Sequence, residues 1–206
     1  MDLRTGCAFW IVKNGLLASY PPLTSDSSAD VVVIGAGITG ALIADELTRA
    51  GACVVVLDRR DVASDSTAAS TGLLQHETDA SLEQLASMIG LEAAVRVYRL
   101  GLAAIDRIEQ PCDEIEDPCG FARRPCLYVE RLSSSELRSR FGLSFPGALY
   151  APGDDEIDPF RFSHRLLLKA SQGGSGARSD NGHECSIHPC RRRARDRRGT
   201  AHRPSK

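Results

Sequence analysis

The apolar positions near the start of the chain form two short uninterrupted runs. The first covers residues 30–34 ("DVVVI") and the second covers residues 52–57 ("ACVVVL"). Runs of this length, rich in β-branched residues, are typical of strands buried on both faces. Between them, residues 38–50 have a helical pattern that stops at Gly51. The pattern therefore predicts a β-α-β unit with parallel strands and a right-handed crossover.

After Asp58 the chain is first rich in small hydroxyl residues and then becomes mostly helical in pattern. Residues 81–108 carry apolar side chains near helical spacing, which predicts one long amphipathic helix. Further elements are predicted as follows: a strand at 126–130, a helix starting at the capping box 133–136, a strand in "GALYAP" (147–152), and a helix with Asp158 as N-cap and Pro159 in its first turn.

The last part of the chain, residues 173–206, has a different composition. It contains nine Lys and Arg residues against three acidic ones, and Ile187 is its only large aliphatic residue. Such a segment buries too little apolar surface to offset its ordering entropy, so we predict a disordered basic tail. Four of its His and Cys residues are crowded within 183–190 rather than split into two distant pairs, so no metal site is predicted.

The overall composition limits the classes of partner. The formal net charge is −2, which predicts no bulk attraction to nucleic acid, and the basic tail lacks the interleaved aromatic residues of a nucleic-acid site. No run of 18 apolar residues is present, and no signal peptide is recognisable. The seven Cys residues show no paired framework. These features predict a cytoplasmic protein with reduced thiols and no integral membrane segment.

A glycine motif joins the first strand to the following helix. Gly35, Gly37 and Gly40 fit the pattern G-x-G-x-x-G, in which glycine permits a tight turn, close approach of a pyrophosphate, and close packing of helix on strand. Asp58 follows 18 residues after Gly40, at the end of the second strand, where a carboxylate can accept both hydroxyls of an adenosine ribose. This context predicts a dinucleotide site, with phosphates at the helix N-terminus.

The segment after Asp58 bears on which dinucleotide is bound. A nicotinamide domain would normally continue with a helix and a third parallel strand. The sequence offers instead "ASDSTAASTGLL", in which small hydroxyl side chains could contact a pyrophosphate and a ribityl chain. This favours a flavin cofactor; a nicotinamide-binding module fits the glycine motif but not this segment. A solvated Ser/Thr-rich loop is the alternative interpretation.

These residues also carry a family resemblance. "DVVVIGAGITGALIADELTRAG", "VVVLDRRDVASDSTAASTGLLQ" and, more weakly, "CGFARRPCLYV" and "FPGALYAPGDDEIDPFRF" resemble the N-terminal part of the D-amino-acid oxidase/glycine oxidase/sarcosine oxidase superfamily of FAD-dependent oxidoreductases. The resemblance runs from Met1 to about Ser171. It implies FAD as cofactor and a small-molecule amine or amino acid as substrate.

The resemblance also implies roles for individual residues. Its cofactor-binding positions fall in three groups: the glycine motif with the pyrophosphate, Asp58 and Arg59 with the adenosine, and a second phosphate- and flavin-facing segment consisting of Ser66, Thr67, Ser70, Thr71 and Gly72. Asp65 departs from the family, which usually has Gly or another small residue there. A carboxylate at this position would weaken phosphate binding unless it points outward.

The fold class expected from these observations is α/β. We expect a Rossmann-like FAD-binding domain followed by the beginning of an α+β substrate domain, which is incomplete. The expected organisation is an N-terminal extension (1–29), the β-α-β unit with the flavin-facing segment (30–80), a helical segment with a partial substrate domain (81–172), and the tail (173–206). Because the resemblance stops near residue 172 and the composition then changes abruptly, a truncated or frameshifted product is expected.

The expected function is oxidation of the C–N bond of an amino acid or amine by hydride transfer to flavin. The alternative is a non-catalytic fragment of such an enzyme that retains at most dinucleotide binding. No residue is assigned a catalytic role. His76 and Glu77 could reach a ring edge but are interpreted as a surface turn, and His164 as a packing or surface residue.

Overall fold

The computed structural model describes residues 6–78, 80–115, 117–128, 133–144, 149–172 and 185–189. Within these ranges the chain forms helices and strands in mixed order. They are α1 (Phe9–Asn14), β1 (Val31–Ile34), α2 (Ile38–Arg49), β2 (Val54–Asp58), β3 (Leu73–Leu74), α3 (Leu82–Ile89), α4 (Leu91–Glu114), β4 (Ala122–Tyr128), α5 (Ser134–Phe141), β5 (Leu149–Glu156), α6 (Pro159–Ser171) and β6 (Cys185–Pro189). No helix among the described residues is both long enough and apolar enough to cross a bilayer.

The first sheet is parallel and has the strand order β1-β2-β6. Val31 pairs with Val54 in β2, and the helix α2 connects these two strands, as the sequence predicts. The apolar side chains of β2 are buried because helices α2 and α6 pack beside the sheet. The α/β fold class with a Rossmann-like unit is therefore confirmed.

Strand β6 corrects the expectation of disorder for five residues of the tail. Residues 185–189 pair in parallel with β2 along its whole length, and Ile187 is buried in the main core. Side-chain burial alone would not order this segment. The strand gains its backbone hydrogen bonds from the second edge of β2, and one aliphatic residue suffices to anchor it. The remainder of 173–206 lies outside the described residues.

The second sheet is antiparallel, with strand order β3-β5-β4. Leu73 and Leu74 pair with Glu156 and Asp155, so this sheet begins directly after the hydroxyl-rich segment. Strand β4 starts at Ala122, four residues before the predicted strand, and β5 continues beyond the predicted segment to Glu156. This sheet forms the described beginning of the expected α+β part.

The predicted long helix is divided in two. Helix α3 ends and α4 begins at Gly90, whose φ of 88° lies in the left-handed region that favours glycine. The start of α3 carries a capping box formed by Ser81 and Gln84. The apolar spacing alone did not reveal this break, because both helices present apolar positions at similar intervals.

The predicted N-terminal caps of the later helices are confirmed. Ser133 and Glu136 form the capping box of α5, and Asp158 accepts the backbone N–H of Arg161 at the start of α6. Helix α6 buries Phe162, Leu166 and Leu167 completely. By contrast, the side chains of Val32 and Ile34 in β1 are 54% and 87% exposed, so that one face of this strand is uncovered in the described chain.

Candidate functional site

A cavity of about 430 Å³ lies at the carboxyl ends of β1 and β2. In open parallel sheets, this edge is where ligands bind, because loops and helix N-termini converge there. Its lining comes from the glycine motif, the end of β2 and the segment that follows: Ile34, Gly35, Gly37, Leu57, Asp58, Arg59, Asp61, Ala63, Ser64, Asp65, Ser66 and Thr67. The structure therefore brings together most of the residues that the sequence assigned to the cofactor.

Two of the three glycines are required by backbone geometry. Gly35 has a φ of 109°, which allows the chain to turn sharply out of β1. Gly40 lies in the first turn of α2, where an added Cβ would be 1.8 Å from the carbonyl oxygen of Gly35. Gly40 therefore allows α2 to begin directly against the end of β1, as the motif predicts.

Gly37 has a different environment. It precedes the first residue of α2 with an ordinary extended φ of −78°, and an added Cβ would lie 3.0 Å from Thr67 Oγ1. Thr67 is buried and its hydroxyl accepts the backbone N–H of Ile38 at 3.1 Å. Thr67 thus fixes the start of α2 while lining the cavity, and the missing side chain of Gly37 leaves the backbone accessible to a ligand.

Asp58 is positioned by backbone donors on both of its carboxylate oxygens. Oδ2 accepts the N–H of Ala36 at 2.7 Å and Oδ1 accepts the N–H of Arg60 at 2.9 Å. Each carboxylate oxygen can accept more than one hydrogen bond, so capacity remains for two ligand hydroxyls. Asp58 therefore both holds the glycine loop and faces the cavity.

The charges around the cavity are of both signs. Asp65 lies 2.9 Å from Arg60 Nη1 and 3.7 Å from Arg59 Nη2, and its side chain is 59% exposed. The carboxylate that departs from the family pattern is thus paired with two cations near the rim. Asp58 and Asp61 add negative charge to the lining, while the N-terminus of α2 and Arg59 favour an anion.

The other predicted cofactor residues lie beyond this cavity lining. The hydroxyl of Ser70 accepts the N–H of Gly72 at 3.1 Å, and that of Thr71 accepts the N–H of Leu73 at 3.5 Å. Gly72 has a φ of 77° and packs so closely that an added Cβ would be 2.4 Å from the Ile157 carbonyl oxygen. These three residues form a turn that leads the chain from the cavity into β3.

Helix α1 of the N-terminal extension packs against this turn. The indole Nε1 of Trp10 donates to the carbonyl oxygen of Ser70 at 2.8 Å, and Asn14 Nδ2 donates to Asp158 Oδ2 at 2.8 Å. A Cβ on Gly72 would also be 2.8 Å from a ring carbon of Trp10. The sequence does not predict that the extension packs against this turn, because its short apolar patches carry no motif.

Half of the lining residues were outside the sequence assignment. Asp61 and Ala63 both line the cavity, and Ala63 donates its N–H to the carbonyl oxygen of Ala36 at 3.0 Å. Ala63 has a φ of 54°, which is uncommon for a residue other than glycine. The hydrogen bond to the glycine loop fixes this conformation, and no local sequence signal indicates it.

The interpretation of His76 and Glu77 as a surface turn is wrong. Their side chains are only 12% and 9% exposed, and His76 Nδ1 lies 2.7 Å from Asp154 Oδ1 in β5. The pairing of β3 with β5 brings the following residues under α4, which local polarity could not predict. His164 is buried beside Phe160 in α6, which confirms the packing interpretation.

Comparisons with known proteins find a family model, curated relatives and solved structures that match this chain. The family model described as FAD dependent oxidoreductase (DAO) matches residues 30–180. The protein YhfW of Bacillus subtilis (strain 168), whose name places it with Rieske 2Fe-2S iron-sulfur proteins, is 35% identical over 101 residues. That match covers 49% of this chain and 20% of YhfW.

Solved structures show the same fold. An L-amino acid deaminase from Proteus myxofaciens is similar with a TM-score of 0.63 and 14% identity, covering 85% of this chain and 41% of that protein. Glycine oxidase from Geobacillus kaustophilus is similar with a TM-score of 0.59 and 16% identity, covering 78% of this chain and 46% of that protein. The chain thus spans less than half of each of these structures and about one fifth of the curated relative.

Proposed function

We propose, since this chain belongs to the DAO family of FAD dependent oxidoreductases, that its cavity binds the adenosine and pyrophosphate half of FAD. The observation that carries the proposal is the convergence of the glycine loop, Asp58 and Thr67 on one cavity. Asp58 would accept the ribose hydroxyls with its remaining acceptor capacity. The N-terminus of α2 and Arg59 would attract the phosphates.

The proposal extends to the turn formed by Ser70, Thr71 and Gly72. The flavin half of FAD extends beyond the adenosine and pyrophosphate, and this turn continues directly from the cavity lining toward β3. We assign the ribityl and flavin half of the cofactor to the turn. The hydroxyls of Ser70 and Thr71 already accept one backbone N–H each, and each can also donate to the cofactor.

The reaction that we propose for the family member containing this segment is oxidation of a C–N bond in an amino acid or amine. FAD, when bound, supplies the acceptor for the hydride. Support comes from the resemblance and from the names of two proteins of the same fold, a glycine oxidase and an L-amino acid deaminase. The described residues supply cofactor binding and orientation, and none of them is assigned to the reacting atoms.

The test is a pair of titrations of the purified chain, one with FAD and one with ADP, read by flavin fluorescence and by calorimetry. Gly37→Leu should abolish binding of both ligands, because its side chain would fill the approach to the loop. Ser70→Ala should weaken FAD alone, by about two- to tenfold for one lost hydrogen bond. Ser87→Ala on α3 is the matched control and should change neither affinity.

The same titration separates the alternatives. Tighter binding of NAD⁺ than of FAD would contradict the flavin assignment and favour a nicotinamide-binding module. Absence of both FAD and ADP binding in a folded chain would refute the cavity assignment. If FAD binds but is not reduced anaerobically by amino acids or amines, the chain is a dinucleotide-binding segment without turnover.

A further inference from the structure

We propose a second site in this chain, for a divalent metal ion, formed by His76, Glu77 and Asp154. Each residue offers one ligand atom, and the three atoms lie within 4.8 Å of one another. Two of the residues follow β3 and the third lies in β5, so that the cluster joins two parts of the antiparallel sheet. It is separate from the cavity lining described above.

The cluster is buried. The side chains of His76, Glu77 and Asp154 are 12%, 9% and 6% exposed. Helix α4 covers it closely: Tyr98 packs edge-on against the His76 ring with centroids 6.1 Å apart, and a Cβ on Gly101 would be 2.8 Å from the His76 carbonyl oxygen. A group of exposed acidic residues would be solvated, whereas here solvation by water is largely lost.

Two carboxylate oxygens in the cluster receive no hydrogen bond from the part of the chain that the structure describes. Asp154 Oδ1 accepts both the backbone N–H of His76 at 3.1 Å and Nδ1 of its ring at 2.7 Å. Asp154 Oδ2 and Glu77 Oε2, however, are buried and have no hydrogen-bond partner among the described residues. Glu77 Oε2 is 3.2 Å from His76 Nδ1, but this nitrogen forms its hydrogen bond with Asp154 Oδ1 at 2.7 Å. A cation bound by Glu77 Oε2 and by both oxygens of the Asp154 carboxylate would satisfy the two orphaned oxygens.

Charge balance favours a cation with two positive charges. Glu77 and Asp154 bring two negative charges, and His76 can bring at most one positive charge. Within the described parts of the chain, neither carboxylate has a Lys or Arg at ion-pair distance. Buried charges are normally paired or bound to metals. A divalent ion with a neutral imidazole would make the cluster neutral.

The ligand geometry is compatible with such an ion. Bonds of 2.0–2.2 Å around a tetrahedral metal place ligand atoms about 3.3–3.5 Å apart. The separations of 2.7 and 3.2 Å from His76 Nδ1 need a small expansion, which follows when the metal replaces the ring proton, and the two carboxylates, whose ligand atoms lie within 4.8 Å, need to close around the ion. The backbone N–H of His76 on Asp154 Oδ1 would keep that carboxylate oriented, as partners of metal ligands commonly do.

The set of one imidazole nitrogen and two carboxylate oxygens suits Mn²⁺ as well as Zn²⁺, because oxygen ligands predominate. Mn²⁺ is the better probe. Thiolate ligands select softer metals, so that the crowded Cys and His residues of 183–190 would not compete strongly for it. Bound metal would fasten the segment after β3 to β5 and so stabilise the antiparallel sheet.

The experiment is a titration of the full metal-free chain with MnCl₂, followed by the loss of the free Mn²⁺ signal in electron paramagnetic resonance. We expect one ion per chain and a higher midpoint of thermal unfolding. Glu77→Gln and Asp154→Asn should each weaken binding at least about tenfold. Asp106→Asn, which removes an exposed carboxylate paired with Arg123, is the matched control and should bind normally.

Several outcomes would overturn the proposal. They are the absence of bound Mn²⁺ at millimolar concentration, or binding that both cluster variants retain. Circular dichroism establishes whether each variant is folded. If both variants unfold, the wild-type chain still decides: pulsed resonance must detect coupling of bound Mn²⁺ to an imidazole nitrogen, and its absence rejects the site. None of these readouts depends on FAD, so the proposed function and the metal site can fail independently.

Discussion

Two glycines of one motif are expected to respond differently to the same added methyl group. In Gly40→Ala the new Cβ would lie 1.8 Å from the Gly35 carbonyl oxygen, whereas ordinary contact begins at 3.4 Å. Helix α2 or the Gly35 turn must therefore move by about 1.6 Å. In Gly37→Ala the nearest atom is the rotatable Oγ1 of Thr67 at 3.0 Å, and φ is an ordinary −78°. A few tenths of an ångström relieve that contact.

The magnitudes follow from these distances. Overpacking of a core typically costs about 1–3 kcal/mol and occasionally more, and a backbone oxygen cannot rotate away. Replacing a glycine by alanine within a helix stabilises the folded chain by about 1 kcal/mol, because alanine has the higher helix propensity. Because a contact of 1.8 Å with backbone is severe, we take the upper end of that cost and expect Gly40→Ala to lower the free energy of unfolding by about 2 kcal/mol. Gly37→Ala, outside the helix, should change it by less than about 0.5 kcal/mol.

We expect Gly37→Ala, the more stable of the two variants, to be the one that binds FAD poorly. The methyl of Gly37→Ala would stand between the loop backbone and the pyrophosphate. Loss of one hydrogen bond to a charged group costs about 1.5–3 kcal/mol, which corresponds to roughly 10- to 150-fold in affinity. Gly37→Ala should thus be stable but defective in binding, whereas Gly40→Ala should be unstable.

The assays are urea unfolding followed by circular dichroism and an FAD titration of each folded variant. Equal stability of the wild-type chain and Gly40→Ala would refute the close-packing argument for this glycine. A stable Gly37→Ala variant with wild-type FAD affinity would refute the role of the loop as a pyrophosphate cradle. The two results are independent, because one depends on α2 and β1 and the other on the ligand.

Two further predictions concern charge and protonation. Asp65→Asn should strengthen FAD binding by about two- to fivefold at low salt, because it frees Arg59 and Arg60 from an exposed ion pair. The gain in affinity should shrink as salt is added. An unchanged affinity at low salt would contradict this prediction. Burial lowers the pKa of His164 to about 4, and a contact with the Val62 backbone acts in the opposite direction. Neither ring nitrogen has a well-formed hydrogen bond within the described residues. The unfolded chain therefore binds a proton on this ring near pH 6.5, whereas the folded chain binds it only near pH 4. The free energy of unfolding should decrease as the pH drops from 6.5 toward 4. His164→Leu should show a smaller decrease than the wild-type chain when urea unfolding is compared across this range, and parallel decreases would refute the assignment.

The features that the sequence predicts well depend on residues that lie close together along the chain. The β-α-β unit depends on two apolar runs, and the glycine motif and Asp58 lie within it. The capping box at Ser133 and the cap at Asp158 are likewise local patterns. Each of these depends on residues a few positions apart, so that a single sequence contains the necessary information.

Most of the features that could not be predicted depend on pairing between distant strands, and one depends on the backbone conformation of a single residue. The burial of His76 follows from the antiparallel pairing of β3 with β5, and Asp154 becomes its neighbour only through that pairing. The placement of β6 depends on the free edge of β2, which no residue of the tail indicates. The break at Gly90 was missed because apolar spacing is insensitive to one residue with positive φ.

The arrangement of the parallel sheet has a consequence for the order of folding. Val31 pairs with Val54, and the cavity residues from Gly35 to Thr67 fall in the same stretch of chain, whereas Cys185, which also pairs with Val54, follows it by 131 residues. Short loops close faster than long ones, and domains emerge from the ribosome N-terminal part first. The nucleotide cavity can therefore assemble during synthesis before β6 is made. A nucleotide bound at that stage would act as a folding ligand, holding β1 and β2 in register while the rest of the chain is completed.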